Sequence, residues 1–387
     1  MVIMKCSYFL QSHCRSCNLL DKSYAETITF KEDELKKIFK QRPFYLMPTV
    51  MLDKVEQSRS KAKFSVFNNI HDEIAFGFTN SDGGHRELES CGLHADGINS
   101  LLPELKKILK KYQIIPYDIK NKKGELKFVL ISKSCESSTD EFLLRFVLRS
   151  KESLDRLKKA ALEILDLPLN IKVITANIQP VHQAIIEGDE EVVLSEEHVI
   201  IHQFDEFQLA LGARSFFQVT PLIAKRLYGA LAERISIDNP QSLIDLYCGV
   251  GAFAFYASRW CEDVTGVEIS DVAIECAMAS AKLNMSNIKF YAMDVEKYLN
   301  HQVKKFEAVI VNPPRRGLNS AIIKNILDIN PKYIYYSSCN AETLARDYLE
   351  LESRYDILSM QIFDMFPFTS HFETLMCLSS KSQVNLK

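Results

Sequence analysis

Cys339 closes the run Tyr333-Ile334-Tyr335-Tyr336-Ser337-Ser338. A thiol in a polar loop at the carboxyl end of a strand can attack a bound substrate, because in open α/β sheets that edge faces the ligand crevice. A buried, inert thiol is the ordinary reading of a cysteine; the flanking Ser338 and Asn340 argue against it here. A second chemistry-bearing segment is Asp245-Leu246-Tyr247-Cys248-Gly249-Val250-Gly251. Its glycines let backbone approach a ligand at the head of the next helix, where free amides favour an anion. Glu268 ends the following predicted strand and suits hydrogen bonding to ribose hydroxyls. The full dinucleotide pattern fails, since Ala254 stands where its last glycine would be. Asn312-Pro313-Pro314 closes a later strand. Glu373, in His371-Phe372-Glu373-Thr374-Leu375, is a candidate base, with a solvated surface acid as its bland reading.

Cys6, Cys14 and Cys17 form C-x7-C-x2-C, with Cys91 far downstream. Such crowding among ten cysteines points to a metal site rather than scattered core thiols. Four thiolates suit tetrahedral zinc or an iron–sulfur cluster, and spacing does not choose between them. Cys135 rivals Cys91 as fourth ligand. A radical enzyme would use C-x3-C-x2-C, so the spacing of seven disfavours that chemistry.

These residues need elements to hold them. From Ser242 onward strands and helices alternate: Leu243–Tyr247, Ala252–Arg259, Val264–Glu268, Asp271–Leu283, Ile288–Tyr291, Ala308–Val311, Ser320–Leu327, Tyr333–Ser337 and Ala341–Leu351. That alternation predicts a doubly wound, mostly parallel sheet, with an antiparallel edge formed after Ile357. The preceding part reads as mixed α and β, including a helix from Ser153, placed as its N-cap, to Leu165. The boundary falls near Leu211, giving regions 1–210 and 211–387. The formal charge is only −3, but residues 31–63 carry nine Lys/Arg against five acids, and residues 104–127 eight lysines against three. Two basic runs suggest a phosphate-facing surface that includes Lys61 and Lys63. No apolar stretch approaches the ~18 residues of a membrane span, and the start lacks a signal-peptide pattern, so the cytoplasm is the expected location.

The glycine turn, the ribose acid and Asn-Pro-Pro together resemble class I S-adenosylmethionine-dependent methyltransferases. Amino-group enzymes of that class often place an aromatic residue after the prolines; Arg315-Arg316-Gly317 stands here instead. Adding Tyr336-Ser337-Ser338-Cys339-Asn340, Ser215-Phe216-Phe217-Gln218 and His371-Phe372-Glu373, the chain resembles the RNA uracil-5-methyltransferases from Cys6 to about Leu378. The resemblance implies a Rossmann-like α/β domain with S-adenosyl-L-methionine bound by Gln218, Tyr247, Glu268 and Asn312. It implies Cys339 as the nucleophile at uracil carbon 6 and Glu373 as acceptor of the carbon-5 proton. Tyr247 stands where that family commonly has phenylalanine. The rRNA-modifying members carry a [4Fe-4S] cluster on such a quartet, implying Cys6, Cys14, Cys17 and Cys91 as ligands in an N-terminal α+β iron–sulfur and RNA-binding domain, with 23S rRNA as substrate. Cys6 arrives at once, so the β-barrel that opens one rRNA branch is not expected ahead of it. No obligate protein partner is inferred. Two other readings stay open: the same chemistry at another rRNA or tRNA uridine, and a cluster-bearing RNA-binding protein whose sheet is not catalytic.

Overall fold

The structure, a computed structural model, describes residues 4–40, 42–80, 83–135, 139–182, 187–301 and 304–381. Two compact units divide them. One joins Arg15–Lys54 to the chain from Arg214 onward, and the other joins Cys6–Cys14 to Val55–Ala213. The expected single cut after residue 210 therefore meets a more interleaved chain, in which Arg15–Lys54 packs with the C-terminal sheet.

That sheet has eight strands among the described residues. Its order is Leu46–Val50, Tyr355–Phe363, Glu373–Ser380, Tyr333–Ser338, Ala308–Val311, Ser242–Leu246, Asp263–Glu268 and Lys289–Ala292. Five consecutive members, from Tyr333–Ser338 to Lys289–Ala292, are parallel, as the alternating pattern predicts. The strand order reverses beside Ser242–Leu246, where such sheets bind ligands outside their carboxyl ends. Glu373–Ser380 is antiparallel to both neighbours and buried along its whole length. The outer edge is a strand from the first fifty residues: Leu46–Val50 runs parallel to Tyr355–Phe363, with Leu46 opposite Met360. This long-range pairing leaves no local trace in the sequence.

Helix Tyr24–Ile38 belongs to the same unit. Ser23 opens it with a capping box, its hydroxyl accepting from the Glu26 amide while Glu26 accepts from the Ser23 amide. Tyr24, Ile28, Lys31 and Leu35 form its buried stripe. Lys31 is wholly buried and donates to the buried Asp364 and, at 3.0 Å, to the Phe366 carbonyl. The Tyr24 hydroxyl donates to the same carboxylate at 2.6 Å. Asn18 exchanges two hydrogen bonds with Ser370, and the Leu19 amide donates to Phe368. The helix and the residues before it thus clamp the loop between the last two strands.

In the second unit a seven-stranded sheet runs His85–Glu87, Ile74–Thr79, Lys61–Asn68, Leu126–Lys133, Phe142–Leu148, Ile171–Ile178 and Glu190–Val193 among the described residues. Helices Ile98–Lys111 and Leu154–Leu165 supply apolar residues to its core. Ser153 occupies the N-cap position but does not cap; its hydroxyl accepts from Arg156 at 2.7 Å. Arg145 is buried and held by Glu187 and Glu191. Lys61 lies close enough to that cluster to feel the Arg145 charge, and burial lowers its ammonium pKa. It is therefore no free surface cation. Lys63 is exposed, with its ammonium 5.6 Å from the centre of the Phe128 ring. No helix of the described residues is long and apolar enough to cross a membrane.

Candidate active site

The glycine turn sits at the carboxyl edge of the parallel strands. Tyr247, Gly249 and Gly251 have φ of 63°, 54° and 86°, so a non-glycine residue starts the turn in the left-handed region. A Cβ on Gly251 would meet the Phe290 ring at 2.7 Å, whereas nothing lies within 4 Å of one on Gly249. The turn is thus packed on one side and open on the other. Glu268 accepts from the Gly249 amide at 3.3 Å and the Ser270 amide at 3.0 Å, fixing its carboxylate beside the turn. The Asn312 amide donates to the Leu246 carbonyl at 3.4 Å. Backbone pairing therefore brings Tyr247, Glu268 and Asn312 to one edge. Gln218 lies buried just ahead of helix Pro221–Asp238. Its segment is tied by the Ser215 hydroxyl, which donates to the Cys276 sulfur at 3.3 Å in helix Asp271–Leu283.

Two acids here were not singled out by sequence reasoning. Asp245 is wholly buried, and burial holds its pKa well above the usual range against the lowering effect of a hydrogen bond from the Ala254 backbone. Asp294 follows strand Lys289–Ala292 and accepts from the Lys297 amide at 3.0 Å. Its charge adds to burial in pushing the Tyr247 phenol up to about 12. The signal for both was positional: each stands at the carboxyl end of a parallel strand.

Cys339 and Glu373 meet at the neighbouring strand ends. Ser338 pairs with Thr374 and Ser337 with Leu375, so the next step of that register sets Cys339 against Glu373. The Ser337 hydroxyl donates to Glu373 Oε1 at 2.6 Å. Glu373 is only 1% exposed, and burial lifts its pKa to about 7 against the lowering effect of that hydrogen bond. The half-buried Cys339 thiol is raised by burial first and by the Glu373 charge second, while a hydrogen bond from Arg315 and its charge lower it. Arg315 also approaches His371 Nδ1 at 3.4 Å. The sequence marks Arg315 as part of the Asn-Pro-Pro-Arg-Arg-Gly block and as evidence against an amine acceptor, but not as a partner of Cys339.

The loop carrying Arg315 is braced from helix Ala341–Leu351. Asp347, wholly buried, accepts from the Leu318 amide at 2.7 Å and the Tyr336 hydroxyl at 2.6 Å. Arg346 donates to the Arg316 and Leu318 carbonyls. Asn340 caps the same helix through the Glu342 and Thr343 amides and donates to the Arg315 carbonyl at 3.2 Å. The residues on both sides of Cys339 are therefore fixed, which suits a nucleophile.

Cys6, Cys14, Cys17 and Cys91 are all half-buried. Cys6, Cys14 and Cys91 belong to one unit, where the Cys91 thiol feels both others, and Cys17 belongs to the other. Cys135, the rival fourth ligand, instead lies 2.9 Å from His202 Nδ1. Their chemistry suits soft metals, but among the described residues no three His, Cys, Asp or Glu are gathered so as to hold a metal ion. No step of the chemistry below passes through them.

The sheet order, the glycine turn at its switch point and the Asn-Pro-Pro loop define an α/β methyltransferase fold. The chain belongs to the tRNA (Uracil-5-)-methyltransferase family, whose model matches residues 23–381. It is 35% identical over 376 residues to the 23S rRNA (uracil(747)-C(5))-methyltransferase RlmC of Xenorhabdus nematophila, covering 97% of this chain and 99% of that one. It is 38% identical over 382 residues to the protein of the same name from Shewanella amazonensis, covering 98% of each. Among solved structures it resembles the Pyrococcus abyssi tRNA (uracil-54, C5)-methyltransferase in complex with S-adenosyl-L-homocysteine. The TM-score there is 0.79 at 24% identity, covering 94% of this chain and 85% of that one, a likeness of fold.

Proposed function

We propose that this chain methylates carbon 5 of a uridine in 23S rRNA, of the uracil-747 type, using S-adenosyl-L-methionine. The observation that carries the reading is the pairing of a half-buried thiol, Cys339, with a buried carboxyl, Glu373, on the strand edge that also holds the glycine turn. The names of the full-length relatives support the RNA and the target.

Carbon 5 of uracil is a weak nucleophile. Addition of the Cys339 thiolate to carbon 6 forms a C–S bond and moves electron density to carbon 5 as an enolate. Carbon 5 then takes the methyl group by displacement. Glu373 removes the carbon-5 proton, the double bond re-forms and the thiolate leaves. Arg315 favours the thiolate in the first step, and the high pKa of Glu373 makes it a competent base near neutral pH in the last.

Bound S-adenosyl-L-methionine supplies an electrophilic sulfonium methyl. Gln218, Tyr247, Glu268 and Asn312 are the residues assigned to hold it. The open side of Gly249 and the Glu268 carboxylate fixed beside it support a polar ligand at this turn. A [4Fe-4S] cluster on Cys6, Cys14, Cys17 and Cys91 is assigned a structural role, since methyl transfer needs no electron. Its support is the spacing of the first three and the placement of Cys6, Cys14 and Cys91 in one unit. RNA contacts are assigned to the second unit, with Lys63 exposed for a phosphate.

The test is methyl transfer from labelled S-adenosyl-L-methionine to a 23S rRNA transcript, with the product mapped. Label on carbon 5 of uridine 747 is expected. Label on another rRNA uridine, or on tRNA alone, would replace the target while keeping the chemistry.

A further inference from the structure

We infer that the cavity beside Cys339 receives a nucleobase flanking the target uridine, with Phe30 as its stacking platform and Glu34 as acceptor for its exocyclic amine. The inference deepens the uracil-methylation reading and rests on it. The cavity holds about 320 Å³ and is lined by Cys339, Arg315, His371 and Phe372, with Phe30 and Glu34 on its far wall. That is room for a base, at roughly 30 Å³ for each water displaced.

Helix Tyr24–Ile38 is oriented by its buried stripe. Burial of Lys31 against Asp364 and Phe366, with Leu35 one turn on, leaves Phe30 and Glu34 to line the cavity. Residues four apart stand one above the other on a helix, so a base stacked on Phe30 presents its edge to Glu34. The target uracil itself must lie between the Cys339 thiol and the glycine turn, whose Tyr247 and Glu268 do not line this cavity. The space beyond Cys339 is therefore left for a neighbour.

Charge selects the part of that neighbour. Glu34 and the exposed Glu342 both line the cavity. The two carboxylates outnumber Arg315, whose guanidinium is engaged on Cys339, so the cavity disfavours a phosphate, while a carboxylate accepts well from an exocyclic amine. Among the described residues Glu34 is ion-paired with Lys37 at 3.5 Å, in an exposed pair that contributes little and exchanges readily. Aromatic stacking is available to every base, so Phe30 supplies affinity and Glu34 supplies choice.

The experiment uses full-length protein and short RNA hairpins containing the target uridine. Each neighbour is replaced in turn by an analogue without its amine: inosine for guanosine, purine riboside for adenosine, uridine for cytidine. Methylation kinetics and binding by fluorescence anisotropy are measured for wild type, Glu34→Ala and Phe30→Ala. Alanine favours helix, and the melting curves of both variants serve as the check on folding. For wild type, loss of the amine at one neighbour is expected to raise KM and Kd roughly tenfold or more with little change in kcat. Glu34→Ala is expected to bind both RNAs at the weaker level without discriminating between them, and Phe30→Ala to weaken both. Equal discrimination in wild type and Glu34→Ala, or no discrimination in wild type, overturns the subsite. Wild type that discriminates in binding yet transfers no methyl group keeps the subsite and overturns the methylation reading. Methyl transfer without discrimination does the reverse.

Discussion

Cys339 and Glu373 face each other across adjacent antiparallel strands, so the charge of one bears directly on the other. The carboxyl is buried and its pKa stands at about 7, while Arg315 opposes its effect on the thiol. A nucleophile that must first become an anion and a base that must later take a proton therefore stand at one strand end, the thiol half-buried and the carboxyl fully buried.

Glu373→Gln is expected to stop turnover after methyl transfer and before proton removal. RNA should then accumulate covalently bound to protein, visible as a slow band on a denaturing gel. The overall rate should fall by roughly 10²–10⁴, the range for losing a positioned base. Glu373→Gln protein with normal turnover and no bound RNA would remove Glu373 from the chemistry.

Thiol reactivity should separate the two neighbours of Cys339. Arg315→Met is expected to shift the pH dependence of Cys339 alkylation by iodoacetamide upward, because a hydrogen bond and a cation are lost. Glu373→Gln is expected to shift it downward, because a repelling carboxylate is lost. Peptide mapping isolates Cys339 from the other cysteines.

Stability should depend on pH through Glu373. Its folded pKa of about 7 lies above the ordinary 4.5, so folding favours the neutral acid. The stability this confers is fully present below pH 4.5 and is lost as pH rises through about 7. Glu373→Gln should match wild type near pH 5 and gain in melting temperature at pH 8. The difference is at most about 3 kcal/mol, from 1.36 kcal/mol per pKa unit.

Lys31→Met leaves Asp364 buried without its cation. Breaking a buried pair in this way costs about 3–5 kcal/mol, measurable by urea denaturation. Tyr24→Phe removes one hydrogen bond to the same carboxylate and should cost about 1–2 kcal/mol. Tyr24→Phe with the larger loss would shift the main role from the lysine to the tyrosine.

Cys14→Ala protein purified without oxygen should lose iron and the visible absorbance of a cluster. Cys135→Ala should keep both, since Cys135 pairs with His202. Full iron content in Cys14→Ala would end the assignment of the quartet.

The parallel sheet is legible where helices of regular period separate its strands, and the turn at Gly249–Gly251 marks where the first one ends, whereas the short helix Val295–His301 between Lys289–Ala292 and Ala308–Val311 is too brief to show a period. Cys339, Glu268 and Asn312 were found by the same logic, as polar residues at strand ends. The role of helix Tyr24–Ile38 is hidden in the sequence, because three lysines against four acids read as a solvated charged face while Lys31 is wholly buried. Asp364, 333 residues away, and the Phe366 carbonyl account for that burial. Lys61 misleads in the same way: within its basic run it reads as a phosphate-facing cation, yet it lies beside the Arg145 cluster. Nor does the sequence show which face of Tyr24–Ile38 meets the cavity, since that depends on contacts between segments far apart in the chain.

The most direct test of the central claim is tritium release from RNA labelled at uracil carbon 5, with S-adenosyl-L-methionine, for wild type and Cys339→Ala. Release by the wild type and none by the variant is the expected result. Equal release by both would contradict the covalent role of Cys339. No release by wild type, on RNA that it binds, would contradict carbon-5 chemistry altogether.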